Sequence, residues 1–448
     1  MNDSNEGIIP SIHNRSIHNR SIPDRWFNVA PHLPEPIPPA KDPDDGGPSR
    51  VALMSRIRLK AALNQDASRE TWIPIPGPIQ EHYEQFGRPT PLTRARKLEA
   101  YLGTPAKIFV KREDLLPTGS FKLNSSIAQA WFASSEGAPG LVTETGAGQW
   151  GHAVAFASRL YGLKNVIFWA NVSARQKKER GTLIKLLGGT VHPSPSLETS
   201  TGRMMADQGV VGSLGSAIGE AITFASTNSD YKYISGSNHL HVIQHQSIIG
   251  LETKRQLETM GERPDKLIAC VGGGSNLAGF MGPFLPEWKR DALRFIAAEA
   301  ATAPRLTKGE WRYDHADPIG ISPLSLSYTL GRNYQLPETH IGGLRQHNGS
   351  PVVGLLRRHG IIEPRAYSEQ EVFDAGRLFL QQEGILAAPE SCHAVRAAID
   401  CAVEARQMKR PETIVFCLSG NGLLDLGGYA ASEEAPQSAE IEYAIATR

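Results

Sequence analysis

From residue 108 onward one pattern recurs: a short apolar run, a glycine-rich turn, then apolar residues at helical spacing. LVTETGAGQWGHAVAFASRLYG at 141–162 has it, KLIACVGGGSNLAGFMGPF at 266–284 repeats it, and TIVFCLSGNG at 413–422 ends on another glycine loop. NVIFWAN at 165–171, GTVHPS at 189–194 and RFIAAEA at 294–300 read as further strands. KKERGTLIKLLGG at 177–189, SEQEVFDAGRLFLQQEGI at 368–385 and SCHAVRAAIDCAVEARQ at 391–407 read as helices. Apolar strands alternating with helices bury themselves best as mostly parallel sheets with helices on their faces. The expected fold is α/β. Ligands in such sheets bind at the carboxyl ends of strands, where these glycine loops fall.

The chain of 448 residues is long enough for two or three domains. Its net charge of +1 offers no bulk attraction to nucleic acid or membrane. No run of about eighteen apolar residues suits a membrane span. The N-terminus has no apolar signal core, so the cytoplasm is the expected compartment. Cys270, Cys392, Cys401 and Cys417 form no CxxC and read as buried free thiols in a reducing compartment. SIHNR occurs twice, at 11–15 and 16–20, and its two histidines read as part of a disordered polar tail rather than a metal site. Residues 23–50 are rich in Pro, Gly and Asp and read as an extended arm pinned by Trp26 and Phe27. RPTPLTRARKLEAYLG at 88–103 reads as a helix stopped by Gly103.

Four strand ends carry residues suited to chemistry. In IFVKREDLLPTGSFKLN at 108–124, Ile108, Phe109 and Val110 make a strand, Pro117, Thr118 and Gly119 a turn, and Ser120 an N-cap. Lys122 then opens a helix, where the positive end of the helix dipole lowers an amine's pKa and favours Schiff-base chemistry. That stretch alone leaves open a solvated lysine that tolerates the spot. In GGGSN at 272–276, successive glycines turn backbone N–H groups toward one point and form a phosphate cradle. It is neither a dinucleotide fingerprint, which would need glycine at Leu277, nor a P-loop, which would need lysine at Phe280. The reading is a small phosphorylated cofactor. TETGAGQWG at 143–151 offers N–H donors for a substrate carboxylate, and its Glu144 suits either proton transfer or the helix dipole. Ser419, at a strand end, suits a hydrogen bond to a neutral ring nitrogen or a plain turn. His239, His241 and His245 lack an HExxH motif and read as core or hydrogen-bonding histidines.

The set SFKLN, ETGAGQWG, CVGGGSN, EGILAAPES and LSGNG resembles the tryptophan synthase β chains, within the fold type II pyridoxal-phosphate enzymes. PDRWFNVAPHLPEPIPP, PTPLTRARKLE and GLRQHNGSP (343–351) resemble the second type of β chain, which has an extended N-terminal arm. The likeness runs from about residue 23 to about 430. It implies a two-domain fold of parallel sheets flanked by helices, with boundaries drawn as follows. Residues 1–50 form the arm, and 95–235 a smaller α/β domain with a mobile substrate loop region. Residues 51–94 plus 236–432 form the C-terminal domain, and 433–448 a tail. The implied reaction is pyridoxal 5'-phosphate-dependent condensation of L-serine with indole to L-tryptophan through an aminoacrylate. Lys122 would carry the cofactor and shuttle the Cα proton. Gly272, Gly273, Gly274, Ser275 and Asn276 would hold the phosphate, Asn124 the ring oxygen and Ser419 the ring nitrogen. Glu144 would assist loss of the hydroxyl and orient indole. Thr145, Gly146, Ala147, Gly148 and Gln149 would bind the amino-acid carboxylate, and Glu299 would stand near the cofactor. Members of the family are homodimers and often bind a monovalent cation. For this chain a homodimer without an α subunit is expected.

Phe121 stands where the family usually has histidine, Ala300 where proline follows the glutamate, and Asn421 where a histidine is expected. HNGSP at 347–351 also differs. These departures keep the β-replacement residues and leave room for another nucleophile or electrophile in specialised metabolism. A serine/threonine dehydratase and a catalytically silent partner subunit are the remaining readings. Lys122 and Glu144 argue against the silent subunit.

Overall fold

The structure is a computed structural model and describes residues 22–290 and 292–433. The SIHNR repeats and nearly all of the 433–448 tail lie outside the described residues. Two sheets organise the chain. The larger has six strands in the order Ile362–Tyr367, Arg294–Ala300, Lys266–Cys270, Thr413–Leu418, Lys107–Arg112, Leu92–Arg94. All neighbours are parallel except Leu92–Arg94, which lies antiparallel on Lys107–Arg112 at the edge. The smaller sheet is all parallel, in the order Thr190–Ser194, Lys164–Ala170, Gly140–Thr145, Tyr231–Tyr233. This is the α/β arrangement of parallel sheets flanked by helices expected from the apolar runs.

The inner strands of the larger sheet are buried because helices cover both of its faces. Lys266–Cys270 and Thr413–Leu418 are buried at every position. The helix Pro389–Gln407 covers one face of the larger sheet and Leu240–Met260 runs within the core on the other. The strand Lys107–Arg112 pairs with Thr413–Leu418. The boundary expected at residue 95 grouped that strand with the smaller domain, whereas its hydrogen bonds join it to the larger sheet. Its length is too short to show which sheet it joins; only the pairing does.

The arm has little regular structure, as expected, and one short strand in it, Arg25–Phe27, pairs antiparallel with Trp72–Pro74. Trp26 and Phe27 are buried, the ring of Trp26 lies 4.5 Å from that of His245, and Phe27 N–H donates to Ser247 Oγ at 2.8 Å. The helix read over 88–103 is a strand, Leu92–Arg94, then a helix, Arg96–Leu102. Gly103 does end that helix, in the left-handed conformation that glycine adopts without penalty. A hairpin, Glu310–His315 with Leu324–Thr329, went unread in the sequence because its strands are short and mostly half-buried. By contrast, Ser368 and Glu371 form a capping box on Glu369–Glu383, as the SEQE pattern implies.

Candidate active site

The carboxyl ends of strands from both sheets meet at one cleft. Lys122, Glu144, the 145–149 loop, the 272–276 loop and Ser419 converge there, although 297 residues separate the first from the last (419 minus 122).

Lys122 is the first residue of the helix Lys122–Ser135, preceded by a turn with Gly119 at φ +69°. Phe121, not Ser120, occupies the cap position and makes no side-chain cap bond. Ser120 Oγ is instead a buried hydroxyl without a hydrogen-bond partner. The reason is tertiary: Ser120 bridges to Gly420, and Phe121 N–H donates to Ser419 O at 3.0 Å, so the loop is tied to a neighbouring strand end. Lys122 Nζ donates to Gly236 O at 2.5 Å. Burial lowers its pKa to about 8, and the carboxyl of Glu144 opposes that shift. The amine also lies 4.9 Å from the centre of the Phe121 ring. Phe121 is therefore a wall of the cleft that stacks beneath the amine rather than an anion donor.

Glu144 is the second-last residue of Gly140–Thr145, an inner strand of the smaller sheet. Burial raises its pKa to about 7. Ser235 Oγ lies 3.4 Å from Oε1, and Oε2 has no hydrogen-bond partner. A buried carboxyl with a free oxygen and a pKa near neutrality is suited to give or take a proton.

The loop after Glu144 is held from behind. Trp169 Nε1 donates to Gly146 O at 2.9 Å, and Arg180 Nη1 donates to Ala147 O at 2.7 Å. With those carbonyls engaged, the loop presents its other side to the cleft, where Thr145, Gly146, Ala147 and Gln149 line the wall. Gly148 does not line it. It takes φ +87° before the helix Gln149–Leu160 and packs on Trp169.

Gly272, Gly273, Gly274, Ser275 and Asn276 all line the cleft. Gly274 adopts φ +116°. A Cβ at Gly273 would overlap Asn238 and Ser237, and one at Gly272 would overlap Gly343 O, so the turn has no room for side chains. Asn276 turns its amide inward, donating to Cys270 O at 3.2 Å and lying 3.3 Å from Cys417 Sγ. Ser419 Oγ lies 2.6 Å from Ser391 Oγ and 3.4 Å from Cys270 Sγ. Ser391 Oγ already accepts from Gly420 N–H at 2.9 Å. If Ser391 donates its own proton to Ser419, the Ser419 proton is free for a ligand.

Two of the expected residues lie away from the cleft lining. Asn124 does not line the cleft. Its Nδ2 donates to Glu113 and Gln246, both at 3.0 Å, and its Oδ1 accepts from Arg88 Nε at 3.0 Å. It belongs to a buried ion network of Arg88, Glu113, Glu252 and Lys111. Two residues past Lys122 on the same helix, its side chain is rotated by about 200°, which turns it away from the cleft. Glu299 also lies outside. Its carboxylate accepts from the N–H groups of Leu306 and Thr307, each at 2.9 Å, and caps the short helix Arg305–Lys308.

Sequence reasoning missed Cys270 and Glu390. Cys270 lies at the cleft beside Ser419, and burial pushes its thiol up to about 11, so it stays neutral. Glu390 lines the cleft, accepts from Gly343 N–H at 2.8 Å and lies 3.5 Å from Lys177 Nζ. It sits inside the quoted EGILAAPES motif, but acids at helix starts are common, so only the packing reveals it. Two of the three histidines hydrogen-bond, His241 Nδ1 to Asp66 at 3.0 Å and His245 Nδ1 to Ser125 at 3.0 Å, while the His239 ring packs against that of His241 at 5.6 Å. Asn421, at the departure from the family pattern, reaches Asp114 O at 3.2 Å and fastens the two loops behind the cleft.

A glycine cradle that a Cβ would fill, a lysine without an ion-pair partner among the described residues, and orphaned oxygens on Glu144 and Ser120 together fit a phosphorylated aldehyde cofactor. Fold and cleft define a fold type II enzyme. The chain belongs to the pyridoxal-phosphate dependent enzymes, whose family model matches residues 83–420. Within that family it is similar to tryptophan synthase beta chains. It is 47% identical over 410 residues to the one from Pyrobaculum arsenaticum, covering 91% of this chain and 98% of that protein. It is 47% identical over 411 residues to tryptophan synthase beta chain 2 of Methanothermobacter thermautotrophicus, covering 91% of this chain and 95% of that one. Among solved structures, the processed form of threonine deaminase isoform 2 from Solanum lycopersicum superposes with a TM-score of 0.59 at 20% identity. That match covers 92% of this chain and 97% of the deaminase, and it speaks to the fold alone.

Proposed function

We propose that the chain condenses L-serine with indole to give L-tryptophan. The observation that carries this is the pairing of Lys122 and Glu144 in one cleft, each pushed by burial toward its neutral form. The likeness to tryptophan synthase beta chains over 91% of the chain supports the same reading. Pyridoxal phosphate, when bound, supplies the electron sink that lets the Cα proton and then the β-hydroxyl leave. The backbone N–H groups of 272–276 would hold its phosphate, and the Ser419 hydroxyl would be the hydrogen-bond partner of its ring nitrogen. A serine there leaves that nitrogen without a proton, which favours β-chemistry over transamination. Lys122 carries the cofactor through Nζ, removes the Cα proton of serine and returns it at the end. Thr145, Gly146, Ala147 and Gln149 hold the serine carboxylate, with Gly148 supplying the turn. Glu144 gives its proton to the departing hydroxyl, which leaves as water. As a carboxylate it then orients the indole N–H and takes up the proton that indole C3 loses when its carbon joins the serine β-carbon, which restores the acid. Phe121, Trp150 and Leu214 supply apolar wall and exclude water.

The test is to supply the holo-protein with L-serine and indole and separate the products. Tryptophan is expected, and pyruvate as the sole product would overturn the reading in favour of a dehydratase. No helix among the described residues is long and apolar enough to cross a membrane. A cytoplasmic homodimer without an α subunit is part of the proposal. Four buried free cysteines agree with a reducing compartment. Light scattering on the purified protein reads the dimer directly, and a monomer would count against it.

A further inference from the structure

Behind the phosphate cradle sits a guanidinium that the reaction above does not use. Arg305 is 2% exposed and begins the short helix Arg305–Lys308. Its Nη2 donates to the carbonyl oxygen of Gly272. Its Nη1 is buried with no hydrogen-bond partner. Glu299, the nearest source of negative charge, spends its oxygens on Leu306 N–H, Thr307 N–H and the Thr307 hydroxyl. The place is sized for the side chain: a Cβ on Gly349 would lie 2.6 Å from Nη2 and closer still to Cζ and Nη1. Burying a full charge with so little compensation is costly. Burial also pulls the arginine down to about 10, yet it stays charged at neutral pH.

The peptide plane says what the charge does. In a trans peptide the carbonyl of Gly272 and the N–H of Gly273 point in opposite directions. A cation fixing the oxygen on the far side aims the Gly273 N–H toward the cleft that Gly273 lines. It also draws electron density from the amide and strengthens that N–H as a donor. Gly273 O is held separately by Ser350 N–H at 2.9 Å, so both carbonyls of the turn are engaged from behind.

The geometry points to Arg305 as a positioning residue for the cofactor phosphate, an internal cation that holds the Gly272–Gly273 peptide with its N–H turned to the anion. This rests on residues 272–276 being the phosphate cradle. Arg305 touches neither substrate nor cofactor. It does with a tethered guanidinium what a bound small cation would do on the same carbonyl.

The experiment titrates apo-protein with pyridoxal phosphate and reads its dissociation constant by absorbance. Arg305→Met and Arg305→Ala are expected to weaken binding tenfold or more, and Arg305→Lys, which keeps charge but loses the planar fork, by less. Guanidinium chloride at tens of millimolar is expected to restore affinity to Arg305→Ala. Tetramethylammonium chloride at equal ionic strength is not, because it has no N–H to donate. Ser275→Ala is measured alongside. If it binds like wild type, the cradle and this inference fall together. If it is weakened while Arg305→Met binds within twofold of wild type, only the role of Arg305 falls. A loss of melting temperature in Arg305→Ala with unchanged affinity, or a loss of affinity that guanidinium does not restore, would make the residue merely structural and overturn the proposal. Should Arg305→Ala not fold, Arg305→Lys against wild type carries the same comparison.

Discussion

At the scale of single residues, the cleft works by taking charge away from two groups. Lys122 is shifted down to about 8 by burial, so half of the amine is neutral near that pH instead of near its ordinary 10.5. The neutral amine is the nucleophile. Capture of pyridoxal phosphate by apo-protein should therefore accelerate as pH rises and level off above about 8. Stopped-flow absorbance over a pH series checks this, and a rise continuing to pH 10 would disprove the shift. Glu144 moves the other way, up to about 7. Its protonated share falls as pH rises through that value, so turnover should fall along the same limb. Glu144→Gln should lower kcat by about 10²- to 10⁴-fold, the range for a general acid–base group, and should abolish the limb. Stability follows the same sign. The folded state holds a proton on Glu144 that the unfolded chain releases at an ordinary carboxylate pKa. Stability is thus present at acid pH and declines as pH rises from about 4.5 to about 7. Denaturant titrations at pH 5 and pH 8 should show that decline shrinking in Glu144→Gln.

Among the elements, the turns that feed helices into the cleft matter most. Gly148 sits at φ +87°, where its missing Cβ leaves room for Trp169 and for Arg180 Cδ, 2.8 Å from where that carbon would be. Gly148→Ala should cost at least 1–3 kcal/mol, the usual cost of an unfavourable backbone conformation, read by urea unfolding. It should also raise KM for serine, since the loop from Thr145 to Gln149 would shift. A melting curve and a serine KM both equal to wild type would refute the need for glycine there. The strand ends, the glycine loops and the helix opened by Lys122 were legible because each rests on local chemistry: apolar runs, φ > 0 glycines and helical spacing. Ser120 shows the limit of that logic. As a serine before a helix it is a good local cap, yet its neighbour's N–H is claimed by Ser419 O from a strand far along the chain.

Across the whole molecule, buried charges tie one sheet's loops to the other's. Lys177 Nζ lies 2.7 Å from Asp425 Oδ1, Arg180 Nη2 lies 3.3 Å from Asp425 Oδ2, and Lys177 also approaches Glu390. Arg180 in turn holds Ala147 O. Removing the carboxylate would leave Arg180 without its acidic partner and Lys177 with Glu390 alone. Asp425→Ala should lose about 3–5 kcal/mol, the penalty for breaking a buried pair from one side, and should weaken serine binding through Ala147. Chemical denaturation and serine KM measure both. We propose a division into two domains that follows the two sheets, with Lys107–Arg112 in the larger. Hydrogen exchange should then show two cooperative units, with the strand Thr413–Leu418 exchanging together with Lys107–Arg112. A single unit for all ten strands of the two sheets would argue against it.

The amino-acid sequence by itself determined the α/β class, the cofactor, and Lys122, Glu144, the two glycine loops and Ser419 as the residues of the cleft. Those are properties of short stretches, in which a backbone turn, a helix start or a run of apolar side chains is specified by adjacent residues. Direction and partnership were decided only in three dimensions. Asn124 and Glu299 were expected at the cofactor, and the fold spends both on buried partners. Cys270 and Glu390 were passed over, and the fold brings both to the cleft. Arg305 is an ordinary residue in the chain and becomes a buried cation only because Gly349 makes space and Gly272 offers its carbonyl. Hydrogen-bond capacity is finite, so which group a side chain serves depends on what competes for it. That competition is among residues hundreds of positions apart.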